Sequence, residues 1–247
     1  SVWYIDRSTQ GYFETRFGLA ADTPAPADYD GDGKTDIGIF RDGTWWWINS
    51  SDQTVTAIRY GTSADKAIPA DFSSDGRAEL VIFRNGEWYI RDLATGEESV
   101  TIFGLPGDRP VVADYDADGR ADRAIYRNGQ WHVNRSSAGY FTIPWGTATD
   151  TPVVGDYEGD GRADLAVYRN GEWWVMTSFS GYSFGYRWTT WGTPTDVPVP
   201  ADYDGDAFTD IAVFRNGLWY IQRSTGGTSV HNFGLAGDKA IPASYVP

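Results

Sequence analysis

Acidic side chains recur along the sequence at a spacing that suits the binding of a divalent cation. The pattern reads Asp-x-Asp-x-Asp-Gly-x-x-Asp and occurs five times, with small departures, at residues 28–36, 71–79, 114–122, 156–164 and 202–210. It places oxygen-bearing side chains at positions 1, 3, 5 and 9 around a glycine that permits a sharp turn. Hard cations, calcium above all, prefer such a cage of oxygen ligands. These segments, called loops one to five below, are therefore candidate calcium sites.

Four positions of each loop supply the candidate side-chain ligands. They are Asp28, Asp30, Asp32 and Asp36; Asp71, Ser73, Asp75 and Glu79; Asp114, Asp116, Asp118 and Asp122; Asp156, Glu158, Asp160 and Asp164; and Asp202, Asp204, Asp206 and Asp210. Loop two departs most from the pattern, because Ser73 and Glu79 replace aspartates, and Ala207 replaces the glycine of loop five. We expect about four calcium ions, in loops one, three, four and five, with loop two weak or empty. The alternative is that these residues only form solvated turns, but five copies in one register favour calcium.

Charge restricts the kind of partner that the protein can bind. The chain has 34 acidic and 20 basic residues and a net charge of −14, and 19 of the acids lie in the five loops. A protein of this charge is a poor ligand for nucleic acid or for an anionic membrane. We therefore expect no nucleic-acid partner, and the sequence has no apolar run long enough for membrane insertion.

Cysteine is absent from the chain, so disulfide bonds cannot cross-link the loops. Bound metal ions could stabilise the loops in their place. Weak calcium sites suit the millimolar calcium found outside cells, which favours a secreted or cell-surface protein. Since the chain begins inside a repeat, we expect it to be a piece of a longer precursor.

The loops belong to a longer repeat that runs through the whole sequence. Successive copies begin 42 to 46 residues apart, a period typical of stacked-repeat architectures. No linker interrupts them, so residues 1–247 are predicted to form a single domain.

Four short β-strands are predicted in each repeat. The first precedes the acidic loop, as at 68–70 and 111–113; the second follows it, as at 80–83; the third begins at a tryptophan; and the fourth ends at an aromatic-glycine pair. The second and third strands are joined by Asx-Gly pairs at 42–43, 85–86, 128–129, 170–171 and 216–217, which favour a type I′ hairpin turn. Small antiparallel sheets of this size are unstable alone, and closing several into a ring buries their faces.

The predicted fold is therefore an all-β, six-bladed β-propeller. Strands of the second type number five, whereas the other types number six when 241–245 is counted as a first strand. This gives five full repeats and a split, incomplete sixth blade, built from both termini and lacking one strand. If the first strand is innermost, the gap lies beside Val2–Ile5. We then expect a strand donated by a precursor segment or by a neighbouring chain. If the third strand is innermost instead, the sixth blade lacks only its outer strand and needs no donor.

The loop pattern, together with the aromatic-glycine pair about ten residues upstream, resembles the FG-GAP/VCBS repeat family, which includes the integrin α-subunit propellers. The resemblance covers essentially the whole chain. It implies that each loop joins the first and second strands of a blade and binds calcium. It also implies that the residue at position 7 contributes its backbone carbonyl, which here means Lys34, Arg120, Arg162 and Phe208.

Aromatic residues are the second group of candidates. Most of the 12 tryptophans share a register and are expected in the core between blades, but Trp47 and Trp188 do not. The repeat is also interrupted between Trp173 and Trp191, where extra residues form an aromatic-rich segment. The candidates for ligand binding are Phe179, Tyr182, Phe184, Tyr186, Trp188 and Trp47. The alternative for the segment is a longer hairpin that packs on itself.

The sequence offers little support for catalysis. It has two histidines, which fall in different registers, and nearly every acid is explained by a loop or a turn. A second periodic aspartate, as at Asp22 and Asp65, is explained by an Asx turn. We therefore expect no enzyme and no catalytic residues, but a binding or adhesion module for glycan or protein ligands. The alternatives are a catalytic propeller, such as a glycosidase or lyase, and a structural assembly unit of a larger surface protein.

Overall fold

The computed structural model describes residues 1–7, 9–178, 181–182 and 185–242. It divides into two compact units, one formed by Ser1–Ala70 with Asp75–Ile102 and the other by Asp71–Ser74 with Phe103–Pro247. The described residues form only strands and turns, in agreement with the all-β prediction. None of them belongs to a helix that could cross a membrane.

The first unit contains a hairpin and two four-stranded antiparallel sheets. The hairpin pairs β1 (Val2–Arg7) with β2 (Gly11–Arg16). The strands of blade one are β3 (Thr23–Pro24), β4 (Ile37–Arg41), β5 (Thr44–Ile48) and β6 (Val55–Arg59). The strands of blade two are β7 (Lys66–Ala67), β8 (Leu80–Arg84), β9 (Glu87–Arg91) and β10 (Glu98–Ile102).

The second unit contains three further sheets of the same kind. The strands of blade three are β11 (Arg109–Pro110), β12 (Arg123–Arg127), β13 (Gln130–Arg135) and β14 (Gly139–Pro144). The strands of blade four are β15 (Thr151–Pro152), β16 (Leu165–Arg169), β17 (Glu172–Met176) and β18 (Tyr186–Thr190). The strands of blade five are β19 (Val197–Pro198), β20 (Ile211–Arg215), β21 (Leu218–Gln222) and β22 (Thr228–Asn232).

Each blade is a meander in which strands pair in sequence order, the arrangement of a β-propeller. The described residues form five blades, so the prediction of six is wrong for this part of the chain. The β1–β2 hairpin has no third strand among the described residues. Ile241 and Pro242 are not in a strand, and 243–247, the rest of the predicted first strand, lie outside the described residues.

The hairpin turns between second and third strands have the predicted geometry. The first residue of each Asx-Gly pair has a φ between 50° and 53°, and the glycine has a φ between 82° and 90°. Positive φ at both central residues is the requirement of a type I′ turn. The short turn fixes the register, and in blade two it sets Phe83 opposite Trp88.

The first strands begin earlier than predicted. In blade two the strand is Lys66–Ala67 rather than 68–70, and an isolated bridge then pairs Ala70 with Glu79. Pro69 lies between them and cannot donate to the ladder, because proline lacks an N–H. The acidic loop therefore connects the first and second strands, as the family resemblance implied.

Tryptophans at the start of the third strands form the core of the blades. Trp88 and Trp131, predicted to be buried, have no exposed surface. The ring of Trp131 lies edge-on to Tyr126 at a centroid distance of 5.2 Å, and its Nε1–H donates to the carbonyl of Trp145 at 2.9 Å. The indole polar group is thus satisfied inside an apolar core.

Consecutive acidic loops are joined by backbone hydrogen bonds. The N–H at position 8 of one loop donates to the carbonyl at position 1 of the loop before it. These bonds run from Ala78 to Asp28 at 2.7 Å, from Ala121 to Asp71 at 2.6 Å, from Ala163 to Asp114 at 2.7 Å and from Thr209 to Asp156 at 2.6 Å. The loops are therefore linked in series within each unit.

Candidate functional site

Each acidic loop is shaped by two residues in the left-handed conformation. Position 6 has a φ between 70° and 83°, as expected from the glycine of the pattern. Position 4 is also left-handed, with φ of 65° at Ser74 and 60° at Ala117. The left-handed residue at position 4 was not predicted, although glycine at this position in loops one, four and five was the available signal. Residues other than glycine are strained there.

The aspartate at position 1 holds this turn closed. In loop one, Asp28 Oδ1 accepts the N–H of Gly31 and Oδ2 accepts the N–H of Gly33, both at 2.7 Å. Asp156 makes the same pair of contacts in loop four, at 2.6 and 2.7 Å. These bonds leave further lone pairs of the carboxylate free to face a cation.

The aspartate at position 9 is buried and anchored on two sides. In loop three, Asp122 Oδ2 accepts the N–H of Tyr115 at 2.8 Å, and Oδ1 accepts the N–H of Ser136 at 2.6 Å. Ser136 follows the third strand of the blade, and its hydroxyl donates to Asp118. Ser50, Ser178 and Ser224 do the same in loops one, four and five. This serine, 14 residues after position 9, was missed because no local pattern marks it.

Burial and the like charge of neighbouring carboxylates raise the pKa of the aspartates at position 9. Burial raises the pKa of Asp36 to about 6, and the neighbouring Asp30 and Asp28 carboxylates add to the rise. Burial likewise raises the pKa of Asp122 to about 6 and that of Asp164 to about 7, against the lowering effect of their backbone hydrogen bonds. The arrangement favours a positive ion, which would stabilise every ionised carboxylate at once.

Four loops bring carboxylate oxygens close enough together to share one ion. The oxygens of each set lie within 4.8 Å of one another, and the sets are Asp28, Asp30 and Asp32; Asp71, Asp75 and Glu79; Asp114, Asp116 and Asp122; and Asp202, Asp204 and Asp206. In loop three, Asp116 Oδ1 is buried and has no hydrogen-bond partner. A buried oxygen without a partner is costly, and a cation among these acids would satisfy it. The carboxylates of loops one, two, three and five are therefore placed so that they could share a cation such as calcium.

Among the described residues, loop four has no such set, and loop two has the converging carboxylates but differs in how it is anchored. In loop four, Ser178 Oγ donates to Glu158 at 3.0 Å and to Asp160 at 2.7 Å. Loop two has Leu93 where the others have the anchoring serine, and Leu93 packs against the core of its unit. Glu79 is buried at position 9. The departures of loop two therefore extend beyond the two replacements visible in the pattern.

Position 7 is fixed by its own backbone. The N–H of this residue donates to Oδ1 of the aspartate at position 5 at 2.9 Å in every loop, from Lys34, Arg77, Arg120, Arg162 and Phe208. This bond sets the orientation of the peptide. The proposed contribution of the position 7 carbonyl remains an implication of the family resemblance.

The second periodic aspartate does more than form a turn. Asp150 Oδ2 accepts the N–H of Thr147 at 2.8 Å, which confirms the turn, but Arg169 also donates to both carboxylate oxygens at 2.6 Å. The same pairs occur as Asp22–Arg41, Asp65–Arg84, Asp108–Arg127 and Asp196–Arg215. Each arginine lies 19 residues after its aspartate and just before the Asx-Gly turn, a signal that was present in the sequence.

Two predicted ligand-binding aromatics are core residues instead. Trp47 is 5% exposed and stacks on Tyr29 at a centroid distance of 4.7 Å, so its prediction as a ligand contact is wrong. Tyr182 is 9% exposed, stacks on Phe141 at 5.1 Å, and donates its hydroxyl hydrogen to the carbonyl of Ala163 at 2.8 Å. Tyr182 also lines a cleft of about 220 Å³. Phe179 and Phe184 lie outside the described residues.

The other two predicted aromatics are exposed, but on a strand rather than in a loop. Tyr186 and Trp188 belong to β18 and are 61% and 52% exposed. Trp188 is the cross-strand partner of Trp174, and their ring centroids are 6.0 Å apart. Tyr186 stacks on Trp174 at 5.9 Å and lies 5.6 Å from Trp145. We call Trp145, Trp174, Tyr186 and Trp188 the blade-four aromatic cluster.

The indole N–H of Trp174 is the unsatisfied polar group of this cluster. Its Nε1 is buried and has no hydrogen-bond partner, whereas Trp145 Nε1 donates to the carbonyl of Trp174 at 3.3 Å. Arg169 lies over the Trp174 ring at 5.9 Å. The cluster thus combines exposed ring faces with polar groups at their edges, a combination typical of recognition surfaces.

Solved structures of known proteins share this fold. A lectin of Agrocybe aegerita that recognises non-reducing terminal N-acetylglucosamine matches with a TM-score of 0.64 and 19% identity, over 94% of this chain and 73% of the lectin chain. Virginiamycin B lyase of Staphylococcus aureus, in a catalytically inactive form with quinupristin, matches with a TM-score of 0.58 and 13% identity, over 94% of this chain and 74% of its own. BBS1N, in complex with ARL6DN, matches with a TM-score of 0.53 and 12% identity, over 86% and 68%.

Likeness at these identities establishes the fold alone. No protein-family model matches the sequence, and no curated protein matches it. The chain therefore belongs to the class of all-β propeller proteins, and its own residues must support any narrower statement of function.

Proposed function

We propose that this protein is an extracellular, calcium-stabilised β-propeller of the FG-GAP/VCBS type that binds glycans through the blade-four aromatic cluster. The observation that carries the proposal is the exposure of Tyr186 and Trp188 beside Trp174, at the place where the repeat is interrupted. Exposed aromatic rings in contact with one another are uncommon on a protein surface unless they bind something.

The other blades show that this surface is not required by the fold. In each third strand, the residue that follows the core tryptophan has a cross-strand partner on the fourth strand. This partner is Ala57 in blade one, Val100 in blade two, Thr142 in blade three and Val230 in blade five. Only blade four has an aromatic ring there, in Trp188. The ring is therefore explained by a ligand better than by packing.

Glycans suit this surface for a chemical reason. A sugar ring offers an apolar C–H face, which packs on an aromatic ring, and hydroxyl groups around its edge, which need hydrogen-bond partners. The hydroxyl of Tyr186, a residue that is 61% exposed, offers such a partner beside the exposed ring of Trp188. The Agrocybe aegerita lectin shows that a propeller of this general fold recognises a terminal amino sugar, which supports the same class of ligand here.

Calcium has a structural role in the proposal. The carboxylates of loops one, two, three and five converge, and Asp116 Oδ1 lacks a partner, which supports ions at these loops. Loop two is the weakest candidate, because Ser73 replaces an aspartate there. Loop four is included on the family pattern, with Glu158 in place of aspartate. Sites of this kind fill at the millimolar calcium concentrations outside cells, which supports an extracellular location.

A catalytic propeller is the alternative, because propellers of this fold include lyases. Among the described residues, every buried acid belongs either to an acidic loop or to an Asp–Arg pair. No buried carboxyl is thus left over for general acid or base catalysis, and the binding module is the better supported proposal.

The test is a glycan array with the calcium-loaded protein, the EDTA-treated protein and two variants. We expect binding that Trp188→Ala weakens at least about ten-fold, a loss of roughly 1.4 kcal/mol or more, with an unchanged melting temperature. The matched control is Tyr140→Ala, because Tyr140 is 55% exposed on the corresponding strand of blade three. An array without any bound glycan, or binding that Trp188→Ala leaves unchanged, would reject the proposal.

A further inference from the structure

The β1–β2 hairpin has the residues of a third and a fourth strand, but within the described part of the chain no second strand pairs with it. Trp3 occupies the register of the core tryptophans, and its Nε1–H donates to the carbonyl of Phe17 at 3.1 Å. This contact matches that of Trp45 with the carbonyl of Tyr60 at 2.8 Å. In all five blades the third strand lies between two neighbours, whereas β1 pairs only with β2 among the described residues.

The open edge of β1 has unpaired backbone groups in a regular row. The carbonyl of Ser1 accepts the N–H of Phe17 at 3.2 Å, so the odd-numbered residues of β1 bond toward β2. Pairing alternates along an antiparallel strand. The N–H and C=O groups of Val2, Tyr4 and Asp6 therefore point to the open side, which is the side on which another chain can add a strand.

Trp3 shows which side chain is missing opposite it. The aromatic residue of the second strand lies against the tryptophan in each blade, with centroid distances of 5.2 Å for Phe40–Trp45 and for Phe83–Trp88. Trp45 and Trp88 are then at most 1% exposed. Trp3 is only partly buried, so an aromatic ring fits the space beside it.

The ring of Tyr4 occupies a position over which three of the blades place an arginine side chain. In blades two, four and five, the arginine at the end of the second strand lies over the ring that follows the core tryptophan. The distances are 4.7 Å for Arg84 over Tyr89, 5.9 Å for Arg169 over Trp174 and 4.6 Å for Arg215 over Tyr220. Tyr4 occupies this position in the hairpin and is 45% exposed.

Charge at the hairpin complements such an arginine. Glu14 is the cross-strand partner of Tyr4, and both line a cleft of about 250 Å³ together with Val2, Thr15 and Arg16. A guanidinium over the Tyr4 ring would have the Glu14 carboxylate beside it, which strengthens a cation–π contact.

We propose that the open edge of β1 binds an extended polypeptide segment of the chemistry shared by the five second strands. That chemistry is a β-branched apolar residue, an aromatic residue and an arginine in succession, as in Val213, Phe214 and Arg215 of β20. The segment runs antiparallel to β1, with its aromatic residue opposite Trp3 and its guanidinium over Tyr4. Backbone bonds supply the affinity, and the two side chains supply the selectivity.

The test uses a synthetic peptide that copies residues 210–217, with a scrambled peptide as control. Calorimetry measures binding to the whole protein, and hydrogen exchange follows the amides of Val2, Tyr4 and Asp6. We expect saturable binding of the copy, at least about ten-fold slower exchange at these three amides, and no binding of the scrambled peptide. A peptide with serine in place of the phenylalanine should bind at least about ten-fold more weakly, because it cannot cover Trp3.

Protein variants separate this site from general stickiness. Tyr4→Thr keeps a strand-forming residue and should weaken the copy peptide about two- to five-fold through loss of the cation–π contact. Tyr140→Ala, which removes an exposed aromatic of β14 in blade three, should leave binding unchanged. Equal binding of the scrambled peptide would overturn the proposal. Protection of the three amides before peptide is added would also overturn it, since the chain itself, or a second copy if the protection rises with concentration, would already occupy the edge.

Discussion

The side chain of Asp150 is fully buried, and its partner Arg169 is about one-third exposed, at 34%. Burial alone would raise the pKa of Asp150, but hydrogen bonds from Arg169 and Thr147 outweigh it, and the pKa lies below its ordinary value. The pair closes the turn before the first strand onto the end of the second. Five such pairs, one in each blade, are thus a repeated device that fixes the first strand to the sheet.

Asp150→Asn should destabilise the protein by about 2–4 kcal/mol, because it leaves the guanidinium without its charged partner. The range is set below that of a deeply buried pair, since Arg169 is partly exposed. A carboxyl with a lowered folded pKa stabilises the native state above its unfolded pKa of about 3.8. The gap between wild type and variant should therefore be full at pH 6 and shrink below about pH 4.

Urea unfolding at pH 6 and pH 3.5 measures this gap. The control is Glu98→Gln, which breaks the exposed Arg91–Glu98 pair, in which Glu98 is 53% exposed, and should change stability by less than about 0.5 kcal/mol. Equal effects of the two variants would show that the Asp150–Arg169 pair contributes no more to stability than an exposed ion pair.

The acidic loop depends on backbone conformations that two alanines adopt poorly. Ala207 has a φ of 70° and Ala117 a φ of 60°. A left-handed residue with a side chain costs roughly 1–2 kcal/mol, partly offset by the greater unfolded-state freedom of glycine. Ala207→Gly should therefore stabilise the protein by about 0.5–1 kcal/mol in thermal or urea unfolding. Ala148→Gly, in a turn without positive φ, should have the opposite sign.

The raised pKa values of the aspartates at position 9 predict an unusual dependence of stability on pH when calcium is removed. Folding raises the pKa of Asp164 to about 7 and those of Asp36 and Asp122 to about 6. The folded state then binds more protons than the unfolded state between about pH 4 and pH 7, so stability falls as pH rises through this range. In EDTA, the protein should be more stable at pH 5 than at pH 7.5.

Asp164→Asn provides the control for this pH dependence, because it removes the group with the highest of these pKa values. We expect a smaller difference between pH 5 and pH 7.5 in this variant than in wild type, again in EDTA. A wild-type protein that gains stability between these two pH values without calcium would contradict the assignment of raised pKa values to the loops.

The elements of the fold could be predicted where the cause is local. The Asn85–Gly86 turn and the buried Trp88 follow from short-range patterns, and both were confirmed. Contacts across the fold could not be found in this way. Ser136 reaches Asp118 and Asp122 from another loop, and Trp47 is buried because Tyr29 stacks on it. The predicted number of blades was also wrong, because the pairing of the terminal segments does not follow from local sequence patterns.

At the scale of the whole molecule, charge and calcium must be considered together. Calcium at four loops would carry eight positive charges against a net charge of −14. The apo protein should therefore lose both the ion cages and the relief of repulsion among its carboxylates. Because consecutive loops share backbone hydrogen bonds, loosening one loop also weakens the contacts of the next, as in other repeat arrays.

Chelation of calcium should consequently lower the melting temperature of the protein. An ion that binds only the folded state stabilises it by RT ln(1 + [L]/Kd), about 2.7 kcal/mol per site at a hundredfold excess over Kd. Differential scanning calorimetry in calcium and in EDTA measures the shift.

Adding sodium chloride should raise the melting temperature of the apo protein more than that of the calcium-loaded protein, since salt screens the unpaired carboxylates. Asp116→Ala combined with Asp30→Ala should reduce the calcium-dependent shift, whereas Ser73→Ala in loop two should leave it nearly unchanged. An identical melt in calcium and EDTA would show that the loops are stable turns without ions.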